Sequence, residues 1–126
     1  MPACGMDSPE AINLDAVLST FQEPWVPRTV GTLNDYDVRV VRTHGEFTRH
    51  SHPETDEFFL VLSGSLTIRL EAGDVALGPG EVYIVPRGVQ HQPVSPDGAT
   101  VLLIEPSTTV NTGDTPSALT AERRVV

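Results

Sequence analysis

Short apolar segments that alternate with polar residues recur along this chain and are separated by glycine and proline. Residues 36–43 read YDVRVVRT, and Leu66, Ile68 and Leu70 alternate with polar neighbours in the same way. A period of two is typical of β-strands with one buried face. The 11 prolines and 10 glycines are spread through 126 residues. They favour tight turns between strands over a helical bundle. The pattern predicts an all-β fold, an antiparallel sandwich or barrel.

The order of the predicted elements divides the chain into three parts. Residues 1–28 form a leader and a short amphipathic helix over 12–21, with Asn13 as its N-cap. Residues 29–106 form the barrel, and 107–126 form a tail that crosses the surface or ends as a short strand. Residues 1–10 are predicted to be disordered or ordered by a neighbour. The predicted strands are 29–33, 36–43, 57–62, 66–70, 75–77, 82–85, 91–94 and 99–105, with a turn at Asp97-Gly98 before the last.

The overall charge excludes several kinds of partner. A formal net charge of −9 argues against binding to nucleic acid or to an anionic membrane surface. The single cysteine, Cys4, cannot form an intrachain disulfide and is expected to be a bystander. The first residues lack the pattern of a signal peptide, and no apolar run approaches the roughly 20 residues of a membrane span. We therefore expect a cytoplasmic protein.

The segment GEFTRHSHPETDEFFLVLSG carries two histidines and a carboxylate at spacings that suit one shared site. His50 and His52 are two residues apart, so on a strand both side chains leave the same face. Glu57 begins the next apolar run and can return to the same space. Imidazole and carboxylate together are ligands for a divalent transition metal. We predict His91, which follows another strand pattern and a turn, as the fourth ligand.

Three carboxylates compete for the acidic position of this site. Glu57 is favoured because it shares the inward face of its strand with Phe59 and Val61, whereas Glu54 and Asp56 lie in the turn. A surface HxH pair without a metal is the plain alternative. It is disfavoured because three of the four histidines and a glutamate fall on one pattern.

Other residues near the predicted site are given structural roles. Tyr83 is open to two interpretations: a packed strand residue, which we favour, or a hydrogen-bond donor behind the ligands. Phe47 or Phe59 could line a pocket near the metal. The residues expected to take no part in ligation are His44, Arg69 and Gln92, and Trp25 is expected to plug the edge of a core or an interface.

The same segments resemble the two motifs of the cupin superfamily, small β-barrels of jelly-roll type. The first motif is matched by Gly45, His50-Ser51-His52, Glu57 and Gly64, with Gly45 one residue closer to the first histidine than in the commonest form. The second is matched by Gly80, Pro86-Arg87-Gly88 and His91, and Ser95 stands where asparagine is usual. The resemblance covers about residues 36–105 and is nearest to small phosphomannose-isomerase-like cupins.

The resemblance implies an antiparallel jelly-roll barrel that holds one divalent metal ion inside, near one end. Manganese, iron, nickel, copper and zinc all accept three imidazoles and a carboxylate. We expect a metalloenzyme of dioxygenase or isomerase type that acts on a small metabolite. The alternative is a non-catalytic metal- or small-molecule-binding protein, because no residue outside the ligand set stands out as a general acid or base.

Two further expectations concern substrate and assembly. Phosphosugar isomerisation ranks low because the chain has no lysine and its arginines are scattered. The apolar face of the helix, Trp25 and exposed sheet edges predict a homodimer. Part of this second expectation comes from the resemblance, since cupins commonly pair.

Overall fold

The computed structural model describes residues 9–126, which form an antiparallel β-structure with one short helix. The all-β prediction is confirmed. The predictions for residues 1–8, including Cys4, lie outside the described residues. The elements are α1 (Leu14–Leu18), β1 (Arg28–Leu33), β2 (Tyr36–Glu46), β3 (Glu57–Gly64), β4 (Leu66–Leu70), β5 (Gly73–Leu77), β6 (Val82–Val85) and β7 (His91–Pro106).

Strand β7 joins the two groups of strands in this structure. Its second half lies between β2 and β3, in the order β1-β2-β7-β3-β6. Its first half pairs with β4, which also pairs with β5. Inward-facing residues from β2 to β7 meet in one core, in which Val61, Ile68 and Val101 are fully buried. The site described below lies at the edge of this core.

The sequence predicted two strands at 91–94 and 99–105, separated by a turn, but the structure has a single strand there. Along β2, Thr43 pairs with Ala99 and Gly45 pairs with Ser95, so three residues of β7 stand opposite one residue of β2. Gly98 lies inside this bulge with a φ of +89°, a value that residues with a Cβ rarely adopt. The strand continues because both sides of the bulge pair with the same neighbour, and the bulge bends it.

Helix α1 is shorter than the predicted segment 12–21. Asn13 is the N-cap, as predicted, and its Oδ1 accepts a hydrogen bond of 2.9 Å from the backbone N–H of Ala16. The helix ends at Leu18 because the hydroxyl groups of Ser19 and Thr20 donate to carbonyls three residues earlier, at 2.7 and 2.6 Å. Such local bonds compete with helix continuation.

The tail, residues 107–126, is fixed on the barrel. Val125 forms a parallel bridge with Thr29, and Thr112 is fully buried. The buried guanidinium of Arg39 donates to the carbonyls of Ser107 and Thr109, at 3.1 and 3.0 Å. The tail was predicted either to cross the surface or to end as a short strand. The structure shows a single-residue bridge near its end and specific contacts along its length.

Candidate metal centre

A main-chain bridge brings the two predicted motifs together. The backbone N–H of His50 donates to the carbonyl of His91 at 3.0 Å, and the reverse bond measures 2.8 Å. The turn before β7 is tied in as well, because Gly88, with a φ of +77°, donates its N–H to the carbonyl of His52 at 2.9 Å. The side chains of residues far apart in sequence therefore leave the backbone at neighbouring positions.

The side chains of the four predicted ligands all point into the interior. Glu57 is the first residue of β3 and shares its buried face with Phe59 and Val61, whereas Glu54 and Asp56 are exposed. His50 and His91 are 1% and 0% exposed, and His52 and Glu57 are each 5% exposed. One donor atom from each of the four lies within 4.8 Å of the others.

The ring nitrogens face one another and the carboxylate at short range. The Nε2 atoms of His50 and His52 are 3.1 Å apart. Oε1 of Glu57 lies 3.1 Å from Nε2 of His91 and 3.2 Å from Nε2 of His52. Three nitrogens and one oxygen thus converge on one small volume.

Main-chain carbonyls fix the orientation of two of these rings. Nδ1 of His50 lies 2.7 Å from the carbonyl oxygen of Thr48, and Nδ1 of His91 lies 2.9 Å from that of Val89. Because a carbonyl only accepts, Nδ1 must donate in both rings. In the neutral rings Nε2 then carries a lone pair, and in His91 this lone pair faces Oε1 of Glu57, which is also an acceptor. A cation at the centre relieves this opposition, so the residues present fit a divalent metal.

The charge states follow from burial and from the neighbouring groups. Burial, and after it the nearby His91, lower the pKa of His50 to about 4, and the hydrogen bond to the carbonyl of Thr48 offsets only part of this shift. Burial alone would raise the pKa of Glu57, but the imidazoles of His52 and His91 beside its carboxylate outweigh this effect, and the pKa is lowered. Near neutral pH the site therefore presents a neutral His50 and an ionised Glu57.

A cavity of about 40 Å³ adjoins the ligand cluster. Its walls are mostly apolar, and both phenylalanines expected near the metal line it. The lining residues used below are Trp25, Phe47, His50, Glu57, Phe59 and Glu105. A molecule that fits this cavity must be small.

Glu105 is a second buried carboxyl group beside Glu57, and the sequence prediction missed it. It is 1% exposed, and its Oε2 accepts a bond of 2.7 Å from Nη1 of Arg39. Burial raises the pKa of Glu105 well above its usual range, and the negative charge of Glu57 adds to the effect. A signal was present, because Glu105 continues the alternation of the buried Val101 and Leu103. An acidic residue at an inward position of a strand marks a site that needs explanation.

The tail supports the HxH pair through the residue between the two histidines. The Asp114 carboxylate accepts from the N–H and the hydroxyl group of Ser51, at 2.8 and 2.9 Å. In return, the N–H of Asp114 donates to the carbonyl of Ser51 at 3.0 Å. Gly113 lies against the same carbonyl and the His50 ring. Nothing in the sequence indicated this role, because Ser51 and Asp114 are 63 residues apart.

The remaining residues considered from the sequence lie outside the ligand cluster. Tyr83 is half-buried and packs against the core, and Gln92 donates to the carbonyl of Phe47 at 3.0 Å. Arg69 is exposed, with Glu46 at 3.5 Å, and His44 is also exposed. Ser95, which replaces the usual asparagine, is buried and donates to the carbonyl of Ser65 at 2.8 Å. Trp25 stacks on Phe47 with ring centroids 4.8 Å apart.

A family model described as "Cupin domain" (Cupin_2) matches residues 37–106, more than half of the chain. The chain belongs to the cupin family. This cupin is 32% identical over 81 residues to the uncharacterized protein YdbB of Bacillus subtilis, which covers 64% of this chain and 72% of YdbB.

Two solved structures are similar to this cupin over most of the barrel. A cupin-2 domain protein from Shewanella frigidimarina superposes with a TM-score of 0.75 at 38% identity, covering 76% of this chain and 94% of that one. A protein described as a sugar phosphate isomerase from Silicibacter pomeroyi has a TM-score of 0.55 at 32% identity, covering 64% of this chain and 55% of that one. Among residues 9–126, no helix has the length and apolar character to span a bilayer.

Proposed function

We propose that this cupin binds one divalent transition metal through His50, His52, Glu57 and His91 and acts on a small metabolite, as a dioxygenase or an isomerase. The observation that carries the proposal is the convergence of four buried donor atoms within 4.8 Å of one another. Three neutral imidazoles and one carboxylate leave a divalent centre with a net charge of about +1. Such a centre, when bound, supplies Lewis-acid chemistry toward a carbonyl or enolate oxygen.

The residues of the chain contribute orientation and exclusion of water. The carbonyls of Thr48 and Val89 hold two imidazoles with Nε2 toward the centre. Trp25, Phe47 and Phe59 line the cavity and keep its walls apolar. The cavity volume of about 40 Å³ limits the substrate to a small molecule.

The cavity lining disfavours a phosphorylated sugar as the substrate, although one structural neighbour is described as a sugar phosphate isomerase. Within the described part of the chain, no arginine is among the residues that line the cavity. Arg39 is buried beside Glu105, and its guanidinium is already bonded to Asp37 and Glu105. A phosphate dianion would therefore find no cationic side chain in the lining of this cavity.

A non-catalytic metal- or small-molecule-binding protein is the second candidate, and the small volume of the cavity favours it. A panel of catechols, diketones and sugar phosphates separates the two functions. Turnover of any member by the metal-loaded protein supports an enzyme. Saturable binding without turnover supports the second candidate.

The metal assignment is tested by histidine variants. We expect His52→Ala and His91→Ala to lose most of the bound metal and to keep the circular dichroism spectrum of the wild type. His44→Ala is the matched control, because His44 is exposed and is not one of the four residues whose donor atoms converge. Elemental analysis of protein purified without immobilised nickel provides the measurement. Equal metal content in all four proteins would contradict the assignment.

We also propose that the protein is a homodimer in the cytoplasm. Exposed apolar side chains on the outer face of the sheet support self-association: Val82 and Ile84 on β6 are 47% and 49% exposed, and Tyr36 on β2 is 43% exposed. Light scattering measures the mass of the assembly. A mass near 13.6 kDa at micromolar concentration would contradict the dimer.

A further inference from the structure

Trp25 lies between the cavity at the ligand cluster and a second space, a groove on the protein surface. The groove has a volume of about 520 Å³, against about 40 Å³ for the cavity. It is lined by residues 23–26 and, from the tail, by residues 118–122 and Arg124. Within the described part of the chain, Trp25 is the one residue that lines both spaces. It is 7% exposed, so it closes the cavity on the side of the groove.

Specific contacts hold the side chain of Trp25 against the cavity. Its Nε1 donates to the carbonyl of His44 at 2.8 Å, and its ring stacks on Phe47. Phe47 in turn meets the ring of His50 edge-on, with centroids 5.5 Å apart. Two aromatic rings in contact thus lead from the groove side of the cavity to a proposed metal ligand.

The main chain of Trp25 is held in a conformation that is costly for this residue type. Its φ is +67°, in the left-handed region that bulky residues rarely adopt. The N–H of Trp25 donates to the carbonyl of Arg42 at 2.7 Å, and its carbonyl accepts from the amide of Asn111 in the tail at 3.1 Å. Strained backbone persists only where its surroundings hold it, and such residues cluster at functional sites. The strain therefore points to a role for the indole at this position.

Other walls of the cavity belong to the close-packed core. Leu66 and Val101 line it and are 1% and 0% exposed, and both are members of the main core cluster. Such interiors have few voids and yield little to a larger molecule. A change at Trp25 is different, because the space beyond this residue is an open groove.

We propose that Trp25 limits the size of the molecule that binds at the metal centre, by closing the cavity on the side of the surface groove. The inference deepens the proposed function and rests on it. With the indole in place, a molecule beside His50 and Glu57 has about 40 Å³. The chemical class that fits is a chelating molecule of a few heavy atoms without a bulky apolar substituent. Without the indole, the bound molecule can extend such a substituent toward the groove.

Acetohydroxamate and benzohydroxamate are the matched probes, because both chelate a divalent metal through the same two oxygens and differ by a methyl against a phenyl group. Each is titrated into protein loaded with Co²⁺, whose visible absorption responds to a change of ligand. The measured quantity is the ratio of the two dissociation constants, in which the contribution of the shared chelating group cancels. The Co²⁺ content is measured again after each titration, so that removal of the metal by the probe is detected.

Two variants of Trp25 and one control test the role of the indole. Trp25→Gly and Trp25→Asn both remove it, and glycine and asparagine tolerate a positive φ better than other residues. Leu119→Ala is the matched control, because Leu119 lines the groove but not the cavity. This control widens the groove and leaves Trp25 in place. Circular dichroism shows which variants fold.

We expect the wild type and Leu119→Ala to prefer acetohydroxamate by at least about tenfold, because the phenyl group overpacks the closed cavity. Either variant without the indole that folds should lose most of this preference, since the phenyl group then occupies the vacated space. An unchanged ratio in such a variant would overturn the inference. So would an equal loss in Leu119→Ala, a wild type without preference, or Co²⁺-loaded proteins that all bind neither probe.

The metal content separates failure of this inference from failure of the proposed function. A wild type that binds no Co²⁺ at the cluster refutes the proposed function and the inference with it. Bound Co²⁺ together with a ratio that is insensitive to loss of the indole refutes the inference alone.

Discussion

Gly113 allows the tail to approach the HxH pair. The methyl group added by Gly113→Ala should push the tail away from this pair. A Cβ added at Gly113 would overlap the carbonyl oxygen of Ser51 and would lie 3.0 Å from Cδ2 of His50. The φ of Gly113 is +54°, in the left-handed region. Gly113→Ala therefore combines backbone strain with a steric clash against main-chain atoms that cannot rotate away.

The two contributions can be separated with a second glycine. Gly80 also has a positive φ, +81°, but an added Cβ there meets nothing within 4 Å. Left-handed backbone costs a residue with a Cβ about 1–2 kcal/mol, which both variants share. Overpacking adds about 1–3 kcal/mol in Gly113→Ala alone. The clash should also shift the backbone of Ser51, which lies between the proposed metal ligands His50 and His52, so metal affinity should fall by about tenfold.

Urea denaturation of the metal-free proteins measures the free energy of unfolding, and competition with a chelator measures metal affinity. We expect Gly113→Ala to be less stable than Gly80→Ala by at least about 1 kcal/mol and to bind metal more weakly. Equal stability of the two variants, together with wild-type metal affinity, would refute the role assigned to the tail.

Three further predictions test the supports of the site. Asp114→Asn should weaken metal binding by about tenfold, because the amide accepts only one of the two bonds from Ser51; Asp74→Asn, exposed in the β5 hairpin, is the control in the chelator competition. The metal-free protein should lose stability as the pH falls from 6.5 to about 4, since the unfolded His50 takes up a proton more readily than the buried ring. The loss is about 3 kcal/mol. His50→Gln should reduce this dependence of stability on pH, measured by urea denaturation. Glu105 contributes in the opposite direction, and it does so in both proteins. Ile68→Ala, at a fully buried core position, should cost about 2–5 kcal/mol, and an unchanged urea midpoint would contradict the assigned core.

The strands were predictable because their signal is local. Alternation placed Glu57, Phe59 and Val61 on one face, and the structure buries all three. The turn at Asp97-Gly98 was misread, since a glycine that ends a strand and a glycine that bends one look the same in sequence. The distinction depends on which strand pairs with the residues before and after the glycine. Here β2 pairs with β7 on both sides of Gly98.

The length of α1 also shows a limit of prediction from local sequence. Apolar residues recur with helical spacing through Phe21, and Phe21 is buried as that spacing suggests. The helix nonetheless stops at Leu18, because the hydroxyls of Ser19 and Thr20 find closer carbonyl acceptors. Burial of the apolar face did not require the helix to continue.

By itself, the sequence determined the antiparallel β-class and brought His50, His52, Glu57 and His91 forward as one group. Those inferences depend on spacings of a few residues and on strand periodicity. Only the tertiary structure decided that Glu105 adjoins the group and that Asp114 holds Ser51. Asp114 lies 63 positions from Ser51 and Glu105 lies 48 positions from Glu57, so no spacing of a few residues relates the members of either pair.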